Sequence, residues 1–198
     1  FTKKFAFFLL ISGFAVSILI IESHTYRPDA GLYHLPFIKI LNEEKIIFGL
    51  SNLHFRYGHI SIIQYLSAIS NNYIFGINGI VFAPALIAIA VISNFISHLL
   101  NKIKSNKFDL HFFFILGVFV YIFYKMNRYS EYGNDAPAHF LFYYLFSEIL
   151  ILIKRFNIKR LSNSLVLSGF IIMNKITLGV ASFLPLIFLN KTRFFGLL

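Results

Sequence analysis

The sequence predicts an all-α, polytopic transmembrane protein that forms one domain over residues 1–198. Of the 198 residues, 58% are hydrophobic and only 13% are charged, and the mean hydropathy is +0.73. A soluble domain of this length needs more charged residues to cover its surface. The apolar residues also lie in long blocks, which is typical of helices in lipid. Because the first residue is Phe1 rather than methionine, we expect the N-terminal part of a longer membrane protein.

Four apolar blocks predict the transmembrane helices. They cover residues 5–21, 73–100, 110–124 and 139–153. The second block is long enough to tilt, and Pro84 predicts a kink in it. The stretch 59–70 would form a helix of about 18 Å, which is too short for a hydrocarbon core of about 30 Å. We expect it to be an interfacial helix in the first extracytoplasmic loop.

The last apolar block, 161–189, is interrupted by the polar sequence Asn-Lys-Ile-Thr at 174–177. One interpretation is a single long span with Lys175 near its middle. The other is a hairpin of two short helices whose ends lie on the same side of the membrane. The distribution of charge favours the hairpin.

That distribution also predicts a cytoplasmic N-terminus in the inner membrane. With the hairpin, eleven basic residues would face the cytoplasm and six would lie in the outer segments, apart from Lys175 at the apex of the hairpin. The cytoplasmic ones would be Lys3, Lys4, Lys102, Lys104, Lys107, Lys154, Arg155, Lys159, Arg160, Lys191 and Arg193. The acids show the opposite bias, because Asp109 alone would join the cytoplasmic loops. An excess of basic residues on the cytoplasmic side is the usual rule for membrane proteins.

This topology accounts for the net charge of +10, so we expect no nucleic-acid partner. The chain has no cysteine, which excludes disulfides and thiolate metal sites. Two polar segments, 22–58 and 125–139, would lie outside and carry the candidate site residues.

In the first outer segment, Asp29 has two interpretations that remain open. It could be the N-cap of the helix that follows, with Pro28 fixing the approach of the chain. It could also be a general base or a metal ligand held at the membrane surface.

Further along, His54 and Arg56 occur in the sequence Leu-His-Phe-Arg-Tyr-Gly-His at 53–59. This stretch could anchor the chain at the headgroups. Alternatively, Arg56 could bind a phosphate through two parallel hydrogen bonds. The spacing of the histidines does not match a metal motif, so we predict no metal site.

In the second outer segment, Asn134 or Asp135 could cap the fourth span, with Pro137 at the first helical position. The functional interpretation is that Glu131 and Asp135 line one site together with Asp29.

Lys175 is the most informative residue, because a lysine in the centre of a span costs about 2.5–3.5 kcal/mol. It could lie at the outer interface, pair with Glu148 of the fourth span, or bind an anion such as a lipid phosphate.

The sequences RPDAGLYHLPFIKILNEE and GLSNLHFRYGH resemble a pattern of bacterial polytopic membrane proteins, D-x-x-L-Y-H followed by G-L-x-N-L-H-x-R-x-G. The matching residues are Asp29, Leu32, Tyr33, His34, Gly49, Leu50, Asn52, Leu53, His54, Arg56 and Gly58. More distantly, the layout resembles GT-C-type glycosyltransferases, which use polyprenyl-phosphate sugars. The stretch 168–186 is similar to their G-L-A-x-L-T-K sequence, with Asn174 in place of the threonine.

The resemblance implies an inverting glycosyltransferase of cell-envelope glycan assembly, with Asp29 as base and Lys175 on the lipid phosphate. We expect Arg56 and Arg128 to assist Lys175 and a divalent cation to be optional. The acceptor, a glycan or a lipid, would be oriented by Asp135 or Glu131. The expected catalytic residues are Asp29 and Asp135, and the expected substrate-binding residues are His34, His54, Arg56, Arg128, Glu131 and Lys175.

Two alternatives remain open. The first is a transporter or flippase for a lipid-linked or anionic solute, which would also use Lys175. The second is a non-catalytic assembly subunit.

Overall fold

The computed structural model describes residues 3–23, 27–44, 47–58, 61–125 and 132–189. These residues form helices and connecting turns, with no β-strand among them. The helices are α1 (Lys3–Glu22), α2 (Leu35–Glu43), α3 (Leu50–Leu53), α4 (Ile62–Ser70), α5 (Phe82–Lys104), α6 (Leu110–Lys125), α7 (Asp135–Lys154), α8 (Ile158–Asn174) and α9 (Phe183–Leu186). A π-helical turn (Ala30–His34) precedes α2, and 3-10 turns cover Phe55–Gly58, Gly76–Val81 and Ile176–Ser182. The prediction of an all-α fold is confirmed.

Among the described residues, three helical segments are long and apolar enough to cross a membrane, namely Lys3–Glu22, Gly76–Lys104 and Asp135–Lys154. They correspond to the first, second and fourth predicted spans. The third corresponds to α6, which is apolar but shorter. Pro84 lies in the first turn of α5. Proline is tolerated there because a backbone N–H in the first turn would have no partner within the helix. A 3-10 turn, Gly76–Val81, precedes α5. The short helix expected within 59–70 is α4.

The long helices pack side by side around an apolar core. Helix α1 lies against α5, which contacts α6 and α7, and α7 in turn packs against α8. Gly13 allows the close approach of α1 and α5, because a Cβ at this position would lie 2.6 Å from Cδ2 of Leu86. Phe95 and Phe140 are completely or almost completely buried between these helices.

The chain turns back on itself at Lys175. Helix α8 ends at Asn174, and the 3-10 turn and α9 return along α8. The Phe188 ring therefore comes to lie 6.5 Å from the ring of Phe156, which precedes α8. The last apolar block is therefore not one continuous helix but folds back on itself, and the position of its two ends on one side of a membrane stays a prediction.

A cluster of opposite charges closes one end of the bundle. Lys102 Nζ lies 2.7 Å from the Asp109 carboxylate, and Lys154 bonds the same carboxylate. Burial alone would raise the pKa of Asp109, but the hydrogen bonds from the two lysines hold it below its usual value. Since α7 begins at Asp135 and ends at Lys154, this cluster lies about 30 Å from the start of α7.

Candidate functional site

A polar cavity of about 270 Å³ lies at the other end of the bundle, where the first loop meets the start of α7 and the end of α8. Its charged walls are Asp29, Arg56, Asp135 and Lys175, and His34 also lines it. Four segments that are distant in sequence thus bring five of the predicted site residues together.

Asp29 and Arg56 form a loose pair on one wall. Arg56 Nη1 lies 3.8 Å from Asp29 Oδ2, and both side chains are nearly half exposed. The Arg56 guanidinium is centred 4.5 Å above the Tyr33 ring, which adds a cation–π contact. An arginine held in this way retains hydrogen-bond donors for a ligand.

Asp29 occupies the N-cap position of the π-helical turn that follows, but its side chain makes no hydrogen bond to the backbone there. The predicted position of the cap is therefore right, and the predicted capping hydrogen bond is wrong. Tyr33 lies one turn later and faces the same cavity. Burial, followed by the negative charge of Asp29, raises the pKa of the Tyr33 phenol, which stays protonated and can donate a hydrogen bond.

His34 forms the buried floor of the cavity. Its Nδ1 lies 3.2 Å from Nε2 of Gln64 in α4. Burial is the main cause that lowers the pKa of His34 to about 4, so the ring is neutral at pH 7. This contact joins the ring to the Gln64 amide, and the other ring nitrogen is Nε2. That atom lies against Gly133, where a Cβ would be only 2.6 Å away.

Lys175 pairs with Asp135, and its Nζ lies 2.7 Å from Asp135 Oδ1. The side chain of Lys175 is 19% exposed. The predicted alternative, a pair between Lys175 and Glu148, is wrong. Glu148 accepts a hydrogen bond of 2.6 Å from Arg160 of α8 instead.

Two buried asparagines join the start of α7 to the end of α8. Asn134 Nδ2 donates to the carbonyl of Asn174 at 2.8 Å, and Asn174 Nδ2 donates to the carbonyl of Asn134 at 3.3 Å. Ser61 also donates to Asn174 Oδ1. Asn134 therefore does not cap α7 through its side chain, nor does Asp135 take the capping position. The exchange of amide hydrogen bonds places the next residues, Asp135 and Lys175, opposite each other.

His54 lies behind the cavity wall rather than in it. Its ring is 6.2 Å from that of Tyr33 and 5.3 Å from that of Tyr57, so it supports two rings that do line the cavity. Arg128 and Glu131 lie outside the described residues.

The sequence-based search missed Tyr33, Gln64 and the hydrogen-bonding role of Asn174 as parts of the site. Gln64 had a readable signal, since it is the only amide within the apolar helix Ile62–Ser70. An isolated amide in an apolar helix usually has a buried partner.

The donor set suits an anion better than a metal ion. Within the described ranges, no group of three or more histidines and acids could hold a metal. Each carboxylate of the cavity instead faces a cation. Lys175 has three N–H donors, of which Asp135 takes one, and Arg56 has five. The cavity can therefore bind phosphate oxygens and a hydroxyl group at the same time.

Comparisons with known proteins place the chain in one family. Neither the curated proteins nor the solved structures contain a significant match to it. The sequence profile of the family described as Domain of unknown function (DUF8201) matches residues 1–195, and the chain belongs to this family.

Proposed function

We propose that this chain is the catalytic part of an integral membrane glycosyltransferase. It transfers a sugar from a polyprenyl-phosphate donor to a glycan or lipid acceptor on the extracytoplasmic face of the inner membrane. One observation carries the proposal: Asp29, from the first loop, lines the same cavity as Arg56 and Lys175. A carboxylate beside two cations provides a base for an acceptor hydroxyl and a binding site for a phosphate leaving group.

The proposed topology is polytopic, with a cytoplasmic N-terminus. The three longest apolar segments would cross the bilayer, joined by α6 and by the hairpin at Lys175. The lysines on Asp109 would lie at the cytoplasmic surface. The polar cavity, at the other end of α7, would then face the outer leaflet, where lipid phosphates are found.

In the proposed reaction, the Asp29 carboxylate accepts the proton of the acceptor hydroxyl. The acceptor oxygen attacks the anomeric carbon from the face opposite the phosphate and forms the new glycosidic bond. The bond between that carbon and the phosphate oxygen breaks, and its electron pair stays on the leaving phosphate. The configuration at the anomeric carbon is inverted.

The two cations have different proposed roles. Arg56 is the first phosphate ligand, because its contact with Asp29 is long and its side chain is accessible. Lys175 contributes a second contact through the N–H groups that Asp135 does not use. Asp135 is then a positioning residue, which holds the lysine at the cavity.

Arg128 and Glu131 keep their proposed places as a phosphate ligand and an acceptor-binding residue, although they lie outside the described residues. Among the residues that are described, His34 would contact the acceptor from the floor of the cavity. His54 would act indirectly, by supporting Tyr33. A divalent cation stays optional in this proposal.

The alternative is a transporter or flippase for a lipid-linked or anionic solute. A second polar group deeper in the bundle favours it: Glu148 binds Arg160, and His111 bonds Ser147 at 2.7 Å. Along α7, however, the buried residues Phe140 and Leu145 lie between this group and the cavity. They fill the space that a solute would cross, so we rank transport second.

The test is sugar transfer by the full-length protein in liposomes that contain a radiolabelled polyprenyl-phosphate sugar. Asp29→Asn removes the base and should reduce transfer by a factor of 100 or more, on the order of what general-base loss costs. The matched control is Glu43→Gln on the exposed face of α2, which should transfer normally. Transfer by Asp29→Asn at the wild-type rate would refute the proposal. Donor movement across the liposome membrane without transfer would support the alternative.

A further inference from the structure

An apolar cavity of about 510 Å³ adjoins the polar cavity. It is built wholly from the first loop, between α2 and α4. Ile40 and Leu41 of α2 form one wall, and Ile47, Phe48 and Leu50 form the opposite wall.

The two cavities share a wall made of two aromatic rings. Phe37 and Tyr57 line both of them, and their rings are stacked with centroids 5.5 Å apart. A ligand that reached from one cavity to the other would pass along these rings. The two cavities therefore adjoin across these rings, and a ligand that spanned both would occupy a polar half and an apolar half.

The surroundings of the apolar cavity suit contact with lipid. Phe48 is 93% exposed, and Leu53 and Phe55 are each 76% exposed. Large apolar side chains on one loop are typical of a surface that sits at the bilayer interface. A ligand could therefore enter from the bilayer.

The charges orient such a ligand. Arg56 and Lys175 lie in the polar half, each paired with a carboxylate, whereas the charged residue that lines the apolar cavity is Glu44. An anionic headgroup can take the place of a carboxylate on the two cations, but it is repelled by Glu44. The phosphate would therefore bind in the polar half and the hydrocarbon chain in the other.

We propose that the apolar cavity binds the hydrocarbon chain of a lipid-linked phosphate, in the segment nearest to the phosphate. This inference rests on the proposed function, since it assigns the chain of the same substrate whose phosphate meets Arg56. It defines the substrate class as an amphiphile delivered from the membrane rather than a soluble sugar phosphate.

The test is the binding of dodecyl phosphate, butyl phosphate and inorganic phosphate to the full-length protein in nanodiscs of zwitterionic lipid. Each methylene moved into apolar surroundings strengthens binding about fourfold. Dodecyl phosphate should thus bind more than about tenfold tighter than butyl phosphate. Because zwitterionic nanodiscs take up dodecyl phosphate themselves, its affinity is corrected with empty nanodiscs. Equal affinities would overturn the inference.

Variants separate the two halves of the site. Leu50→Glu places a carboxylate in the apolar cavity, and we expect a loss of about tenfold or more for dodecyl phosphate with inorganic phosphate unchanged. Ile47→Glu is a second variant at a more exposed position of the same wall, chosen in case Leu50→Glu fails to fold. The matched control is Leu32→Glu, an exposed leucine that lines neither cavity. An equal loss for dodecyl phosphate and inorganic phosphate in the first two variants would also overturn the inference.

Binding is measured without sugar transfer, so the two proposals fail separately. If dodecyl phosphate binds as expected but no sugar is transferred, the proposed function fails and the lipid site stands. If sugar is transferred equally well from a butyl-phosphate and a long-chain donor, the lipid site fails and the proposed function stands.

Discussion

Lys175 Nζ lies 2.7 Å from Oδ1 of Asp135, and both side chains face the cavity that also contains Asp29. The lysine stands at the apex of a helical hairpin, immediately after α8. At this position its charge is met by a carboxylate and by the polar cavity rather than by lipid. If the hairpin lies in a membrane as predicted, this arrangement avoids the unfavourable insertion energy of a lysine inside an apolar block.

We expect the pair to be energetically coupled. A double-mutant cycle with Asp135→Asn and Lys175→Met should give a coupling energy of about 1–2 kcal/mol, reduced from that of a fully buried pair by the partial exposure of Asp135. The measurement is thermal or denaturant unfolding in detergent. Lys39 and Glu43, an exposed pair at 3.7 Å, serve as the control and should show about 0.5 kcal/mol or less. Equal coupling in the two cycles would contradict the importance of the Asp135–Lys175 pair.

Arg56 should not be replaceable by lysine. Arg56→Lys keeps the charge but loses the planar guanidinium that stacks on Tyr33 and can bind two phosphate oxygens. We expect dodecyl phosphate to bind about tenfold more weakly, because one good charge-assisted hydrogen bond is lost. The control is Arg155→Lys, at an exposed position directly after the end of α7. This variant should bind dodecyl phosphate as the wild type does. Unchanged binding by Arg56→Lys would show that charge alone suffices.

Gly133 should not tolerate a methyl group. In Gly133→Ala the new Cβ would lie 2.6 Å from His34 Nε2, so the imidazole or the loop must move. Overpacking of this kind costs about 1–3 kcal/mol of unfolding free energy. The control is Gly117→Ala in α6, where a Cβ meets nothing within 4 Å and should be neutral or stabilising. If both variants unfold at the same temperature, the close packing of Gly133 on His34 is wrong.

Acid should destabilise the protein through His34. Its pKa is about 4 in the folded chain and about 6.5 in an unfolded one, so the unfolded chain binds more protons below pH 6.5. The contribution of the neutral His34 imidazole to the free energy of unfolding is fully present above pH 6.5 and is lost as the pH falls toward 4. The loss is on the order of 3 kcal/mol. Unfolding temperatures measured from pH 7 to pH 4 should fall less steeply in His34→Gln, and identical slopes would refute this account.

The long helices could be predicted because a span leaves a strong signal in sequence. Apolar blocks of the length of α1 and α7 fit few structures other than a helix in a membrane. Asp29 and Lys175 were found for a related reason, since charges next to such blocks are rare enough to be noticed. Likewise, the interruption at 174–177 predicted the hairpin.

The partners of these residues could not be predicted, because they depend on how the helices are rotated and aligned. Glu148 and Asp135 lie on the same helix and both could face α8, but they are about 20 Å apart along α7. Only the three-dimensional packing determines which acid lies at the level of Lys175. The same holds for Asn134 and Asn174, whose mutual hydrogen bonds join residues that no local pattern connects.

Each carboxylate of the cavity already faces a cation, and this balance affects how an anion would bind. An incoming phosphate must compete with Asp29 for Arg56, so binding is an exchange of ionic partners rather than the filling of a positive site. Because one ion pair replaces another, the affinity for phosphate should respond only weakly to ionic strength. The exchange also favours rapid dissociation of a bound phosphate, because the displaced carboxylate remains close enough to pair with the arginine again.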